Sequence, residues 1–164
     1  MAPPENQKTE DYIKNLIDTH SAMLFRICYC ILCSKDDAED ALQDTFLKYL
    51  TKAPEFESEE QEKAWLVKVA ANTSKNMLMF KIRRSFVPLE ETGEIGIEDK
   101  DMQTLEIIMS LPSKYKLVMT LYYVEGYRVK EISEIVGASE EAVRKRLQKG
   151  RELLRKEFER SELE

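Results

Sequence analysis

The segment from Gly126 to Arg151, GYRVKEISEIVGASEEAVRKRLQKGR, admits few local folds. Two helices that meet at a tight turn need small residues where their backbones approach, and Ser133, Gly137 and Ala138 stand there. Val129, Ile132, Ile135 and Val136 recur at helical spacing, so the first helix has one face to bury. Gly137 suits the left-handed conformation that stops a helix. Ser139 is a good N-cap for the next one, and Glu140 and Glu141 in its first turn favour the positive end of the helix dipole. Val143, Leu147, Gly150 and Leu154 form the buried stripe of this second helix, which leaves Arg144, Lys145 and Gln148 on the opposite face. The pattern predicts a helix-turn-helix that offers its cations to a DNA major groove. A plain antiparallel helix pair with a solvated basic face shares each feature singly; their joint spacing favours DNA. Arg128 stands where a capping Ser or Thr is expected, which predicts a poor cap or one displaced by a residue.

In the chain as a whole, five glycines and five prolines in 164 residues leave little room for hairpins, and the apolar positions keep a helical period. The expected class is all-α. The length suits one ordinary domain or two small ones. Residues 1–9 are polar with two prolines and are expected to be disordered. Helices are predicted from about Asp11 to Cys33, Asp36 to Thr51 and Glu60 to Arg84, with breaks at Ser34 and Pro54. Their inward positions are Tyr12, Leu16, Ile27 and Ile31 on the first. On the second they are Ala38, Ala41, Leu42, Thr45, Phe46, Tyr49 and Leu50, and on the third Trp65, Leu66, Val69, Thr73, Met77 and Phe80. Val87 to Met102 has no sustained period and is rich in acids, as a flexible linker would be. A second block starts with a helix near Gln103 to Ser110, and Pro112 opens another in which Leu111, Tyr115, Val118, Met119 and Tyr122 pack. The domain expectation is therefore a helical domain over 10–86, a linker over 87–102 and a second helical domain over 103–164.

The net charge of −6 argues against indiscriminate nucleic-acid binding, but phosphate neutralisation is local. Lys75, Lys81, Arg83 and Arg84 form one run of cations without an acid, and Arg144, Lys145, Arg146, Lys149 and Arg151 form another. Acids gather at Asp36 to Asp44, Glu55 to Glu62 and Glu90 to Asp101. Two basic patches on an acidic chain point to two DNA contacts and a protein contact. Cys28, Cys30 and Cys33 tempt a metal reading, but on a helix Cys28 points away from the other two and His20 is the one histidine. Buried thiols in a reducing compartment are expected instead, with no metal and no cofactor. No nucleophile with its base, phosphate-cradling loop or paired carboxylate marks an enzyme. Neither a leader-like start nor a membrane-length apolar run is present, so the expected location is the cytoplasm.

Taken together, the layout resembles the extracytoplasmic-function group of bacterial RNA polymerase sigma factors, over nearly everything from Tyr12 to Phe158. DDAEDALQDTFLKYL at Asp36 to Leu50 is similar to that family's polymerase-binding helix. FESEEQEKAWLVKVAANTSKNMLMFKIRRS at Phe56 to Ser85 is similar to its promoter-melting segment. LPSKYKLVMTLYYVEGYRVKEISEIVG followed by ASEEAVRKRLQKGRELL is similar to its upstream-element reader. The resemblance implies a sigma region 2-like domain, a sigma region 4-like domain and a connector that runs through the polymerase channel. It also implies the β′ clamp helices and β flap of core RNA polymerase, promoter DNA and an anti-sigma factor as partners.

On that basis Glu39, Asp40, Gln43 and Asp44 form the expected polymerase-binding ridge, since acids beside a packed stripe suit a basic helical surface. Asn72 and Asn76 are expected to hydrogen-bond unpaired bases of the melted (−10) element, with Lys75, Lys81, Arg83 and Arg84 on phosphates. Family members often carry Asp at the position of Asn76 and a denser arginine run over Met79 to Arg84. Trp65 and Phe80 read as core. Arg144, Lys145 and Gln148 are expected to meet the upstream (−35) element, with Arg146, Lys149 and Arg151 on phosphates. The function so implied is recruitment of core polymerase to promoters and opening of the duplex. A polymerase-independent helix-turn-helix regulator and a sigma-like adaptor that opens no DNA are the alternatives.

Overall fold

The computed structural model describes residues 10–84 and 107–162, and every described element is helical. The chain divides into two compact units, Met1–Gly93 and Glu94–Glu164. The predicted disordered start at 1–9, the linker at 87–102 and residues 103–106 of the next predicted helix lie outside the described residues.

In the first unit α1 spans Glu10–Leu32, α2 Lys35–Lys52 and α3 Glu59–Arg84. Cys33 stops α1 in the left-handed region at φ 55°, its N–H donating to the Tyr29 carbonyl at 2.8 Å. Ser34 caps α2 by accepting from the Asp37 N–H at 3.3 Å, and Asp36 and Asp37 favour that helix's positive end. Ala38 and Ala41 of α2, and Ala70 and Ala71 of α3, are fully buried. Their small side chains let the helices come close, while Leu24, Ile27, Leu32, Leu66 and Val67 fill the remaining space.

Among the described residues of this unit two charged side chains, Arg26 and Glu62, are buried. Glu62, only 7% exposed on the first turn of α3, accepts from the Tyr49 hydroxyl at 2.8 Å and the Tyr12 hydroxyl at 2.9 Å. One carboxylate thus ties all three helices together, as a buried polar atom must have partners. Burial first and then the Glu62 carboxylate push both tyrosines above their usual range. Tyr49 also stacks on Phe56 with ring centroids 6.3 Å apart, and Trp65 meets both rings edge-on.

Three positions expected inward face outward. Leu50 is 52% exposed because its neighbour Tyr49 takes the inward place on a stripe set by Ala38, Ala41 and Thr45. Phe80 is 57% exposed, and the Arg84 guanidinium lies 4.7 Å from its ring centre. Leu66, Thr73 and Phe80 are spaced seven apart, and a straight helix drifts about 20° per such step, so the third member rotates out of the interface. Tyr122, in the second unit, is also exposed. Trp65, Val69 and Met77 are half-buried.

The described part of the second unit opens with residues 107–109 in helical conformation, after which α4 spans Ser113–Met119 with Pro112 at its N-cap. A π-helical turn, Thr120–Val124, follows directly, closed by the Glu125 N–H on the Thr120 carbonyl at 3.1 Å. Its extra residue turns Tyr122 and Tyr123 to the surface while Thr120 and Leu121 stay buried. Gly126 then reverses the chain at φ 74°. Next come α5, Val129–Val136, and α6, Glu140–Glu162. Ile132, Ile135, Val143, Leu147, Val118, Met119 and Leu121 make the core. Gly150 lets α6 lie against α4: a Cβ there would meet Met119 Sδ at 2.8 Å.

Candidate functional site

The turn between α5 and α6 has the geometry expected for a helix-turn-helix. Gly137 sits at φ 69°, and the N–H groups of Gly137 and Ala138 both donate to the Ser133 carbonyl, at 3.0 and 3.2 Å. Ser139 caps α6 by accepting from the Ala142 N–H at 3.1 Å. At the start of α5 the guanidinium of Arg128 has nothing to accept with, so one half of a capping box is present: the Arg128 N–H donates to Glu131 Oε2 at 3.0 Å. The weak cap expected at Arg128 is thus offset from within the helix.

On α6 the buried stripe is Val143, Leu147 and Gly150, with Leu154 half-buried. Arg144, Lys145, Gln148, Lys149 and Arg151 are exposed and Arg146 is half-buried. Each of several cations has a neighbour within the unit. Arg144 lies 3.9 Å from Glu140, Lys145 3.3 Å from Glu141 and Lys149 3.8 Å from Glu152. Arg151 donates to the Tyr123 hydroxyl at 3.1 Å. The first-turn acids Glu140 and Glu141 were legible in the sequence, whereas the tyrosine of the π turn was not.

In the first unit Glu39, Asp40 and Gln43 are exposed along α2. Asp44 pairs with Lys48 at 3.1 Å, and Lys48 in turn donates to Thr73 Oγ1 at 2.9 Å, anchoring the ridge to α3. Asp40, Gln43, Leu47 and Leu50 follow one another at three- and four-residue steps, so a single face carries a carboxylate and an amide at one end and two exposed leucines at the other. Leu47, 58% exposed, is the member the sequence pattern did not single out.

Along α3 Asn72, Asn76, Met79 and Arg83 share one exposed face, with Lys75 half-buried beside them. Lys81 pairs with Asp37 of α2 and Arg84 covers the Phe80 ring, so both of these expected phosphate holders have partners within the unit. Cys28 is buried in the core with its thiol pushed up to about 11, the mark of an unreactive packing residue. Among the described residues no helix is long and apolar enough to cross a membrane.

The chain matches the sequence profile of Sigma-70 region 2 over residues 16–84 and that of Sigma-70 region 4 over residues 101–154. It belongs to the extracytoplasmic-function sigma factors. Similar proteins include the RNA polymerase sigma factor SigV of Bacillus subtilis, 28% identical over 97% of this chain and 98% of that one. The ECF RNA polymerase sigma factor SigW of the same organism is 25% identical over 91% and 90%. The sigma factor's fold is also that of a chain in the co-crystal of the sigma factor RpoE with the anti-sigma factor NepR from Bartonella quintana. There the TM-score is 0.77, with 20% identity over 92% of this chain and 98% of that chain. A chain from the complex of CnrH with the cytosolic domain of CnrY has a TM-score of 0.65, 16% identity and coverage of 93% and 90%. Sigma factors direct RNA polymerase to promoters and are initiation factors, not enzymes.

Proposed function

We propose that this sigma factor binds core RNA polymerase through the α2 ridge, holds the melted downstream promoter element along α3 and reads the upstream element with α6. The observation that carries the division of labour is electrostatic. The exposed face of α2 is acidic and leads into Leu47 and Leu50, whereas the exposed faces of α3 and α6 are amide-rich or basic. Carboxylates beside an apolar edge suit a basic helical protein surface such as the β′ clamp helices. Glu39, Asp40 and Gln43 meet it directly, and Asp44 keeps Lys48 in place. Asn72 and Asn76 offer amides to unpaired bases, with Lys75, Arg83 and Arg84 on the backbone. Arg144, Lys145 and Gln148 take base edges in the major groove, while Arg146, Lys149 and Arg151 take phosphates.

In this reading the region 2-like domain is 10–86 and the region 4-like domain 103–164, the latter also meeting the β flap. The acidic connector 87–102 runs in the polymerase channel. The chain catalyses no reaction of its own and acts in the cytoplasm. A chain of the same fold comes from a co-crystal of a sigma factor with the anti-sigma factor NepR, and such a protein is the proposed inhibitor here as well.

Run-off transcription with purified core enzyme tests the reading. Asp40→Ala should weaken co-elution with core polymerase. Arg144→Ala should leave that co-elution intact and reduce promoter selection. Loss of core binding in both variants, with promoter choice unaltered, would overturn the assignment.

A further inference from the structure

The helix read above as the upstream-element reader opens with two carboxylates and presents its groove-facing cations one turn later. Glu140 lies 3.9 Å from Arg144 and Glu141 3.3 Å from Lys145, with all four side chains well exposed. A glutamate four residues before a cation is the favourable order on a helix. Each pair is weak enough to yield to a better partner and close enough to occupy the cation until one arrives.

The two kinds of contact available on DNA differ in charge. A phosphate that approaches Arg144 or Lys145 must also approach the paired carboxylate and is repelled by it. A base edge carries no net charge, and the fork of an arginine can leave its carboxylate for guanine O6 and N7 without that penalty. Among the other cations, Lys149 has a carboxylate of its own in Glu152 at 3.8 Å, whereas Arg151 is held by a neutral tyrosine hydroxyl that can itself donate to phosphate.

We propose that Glu140 and Glu141 are specificity-determining residues that withhold Arg144 and Lys145 from the DNA backbone and reserve them for base edges. The inference rests on α6 being the upstream-element reader. It assigns to two acids on a DNA-facing helix the task of lowering affinity for the wrong sequences more than for the right one.

Fluorescence anisotropy with the full-length chain in holoenzyme tests this, using two duplexes of equal length. One is a promoter that the wild-type holoenzyme transcribes, the other its shuffled sequence. Glu140→Gln combined with Glu141→Gln should raise affinity for the shuffled duplex severalfold, raise promoter affinity less, and so reduce the ratio of the two. The salt dependence on shuffled DNA should steepen by about 0.9 in log–log slope for each cation released to phosphate. Equal gains on both duplexes, or the same effect from the distant pair Glu157→Gln and Glu159→Gln, would overturn the proposal. Circular dichroism checks helix content, and Glu141→Gln alone carries the same test if the double variant loses it. Arg144→Ala separates the two layers: if promoter preference survives that change, α6 is not the reader, whereas lost preference with unaltered glutamate variants rejects the guard alone.

Discussion

Among the described residues the first unit has three long helices locked by a buried carboxylate, whereas the second sets the two short helices α4 and α5 against the long α6 by turns. α1, α2 and α3 run for 23, 18 and 26 residues, so their own periodicity suffices to define them. α4 and α5 have 7 and 8 residues, too few to be stable alone, and depend on Gly126, Gly137 and packing against α6. In the second unit the buried polar group among the described residues is Thr120, with no counterpart of Glu62. The difference teaches what each surface requires. A ridge that lies along a partner helix needs a rigid bundle, whereas a helix that enters a groove needs its angle to the preceding one set by a defined turn.

The comparison breaks most sharply at Glu62. Glu62→Ala removes the shared acceptor of Tyr12 and Tyr49 and should cost about 3 kcal/mol, read in a denaturant melt as a loss confined to the first unit. Equal losses in both units would refute a role for Glu62 confined to the first. The corresponding stress on the second unit is Gly150→Ala, which drives a methyl group into the buried Met119 side chain. It should cost about 2 kcal/mol and leave the first unit's transition in place.

Alkali sharpens the contrast with a smaller effect. Tyr12 and Tyr49 have folded pKa values raised above 10 by burial and Glu62, and Tyr127 is raised to about 12 by burial and then Glu125. A raised pKa stabilises fully below the unfolded value and loses that contribution as pH climbs through the folded one. Thermal melts from pH 9 to 12 should therefore fall only above about pH 10, and Tyr49→Phe should flatten the fall in the first unit while Tyr127→Phe flattens it in the second. The smallest change is a gain: Arg128→Ser supplies the missing N-cap acceptor on α5 and should add about 0.5 kcal/mol to the second unit.

Much of the fold is legible from short-range signals. Ser34, Pro54, Gly126, Gly137 and Ser139 mark ends and starts that depend on backbone conformation and local hydrogen bonds, and each helix of the first unit lies within a residue of its predicted bounds. The exposed set Arg144, Lys145 and Gln148 follows from which residues the stripe of Val143, Leu147 and Gly150 must bury. Phe80, Leu50 and Tyr122 were misjudged for one reason: hydrophobicity says that a side chain prefers burial, not that a neighbouring element covers it. The π turn was invisible because nothing in TLYYV distinguishes one added residue in a turn from ordinary helix.

The residue pattern by itself determined helix boundaries, the all-α class and the polarity of each exposed face, because these depend on interactions within a few residues. The tertiary structure alone decided that Glu62 binds Tyr12 across 50 positions, that Lys81 is held by Asp37 and that Arg151 reaches Tyr123. Those partners are brought together by packing, and no local propensity encodes the distance between residues on different helices.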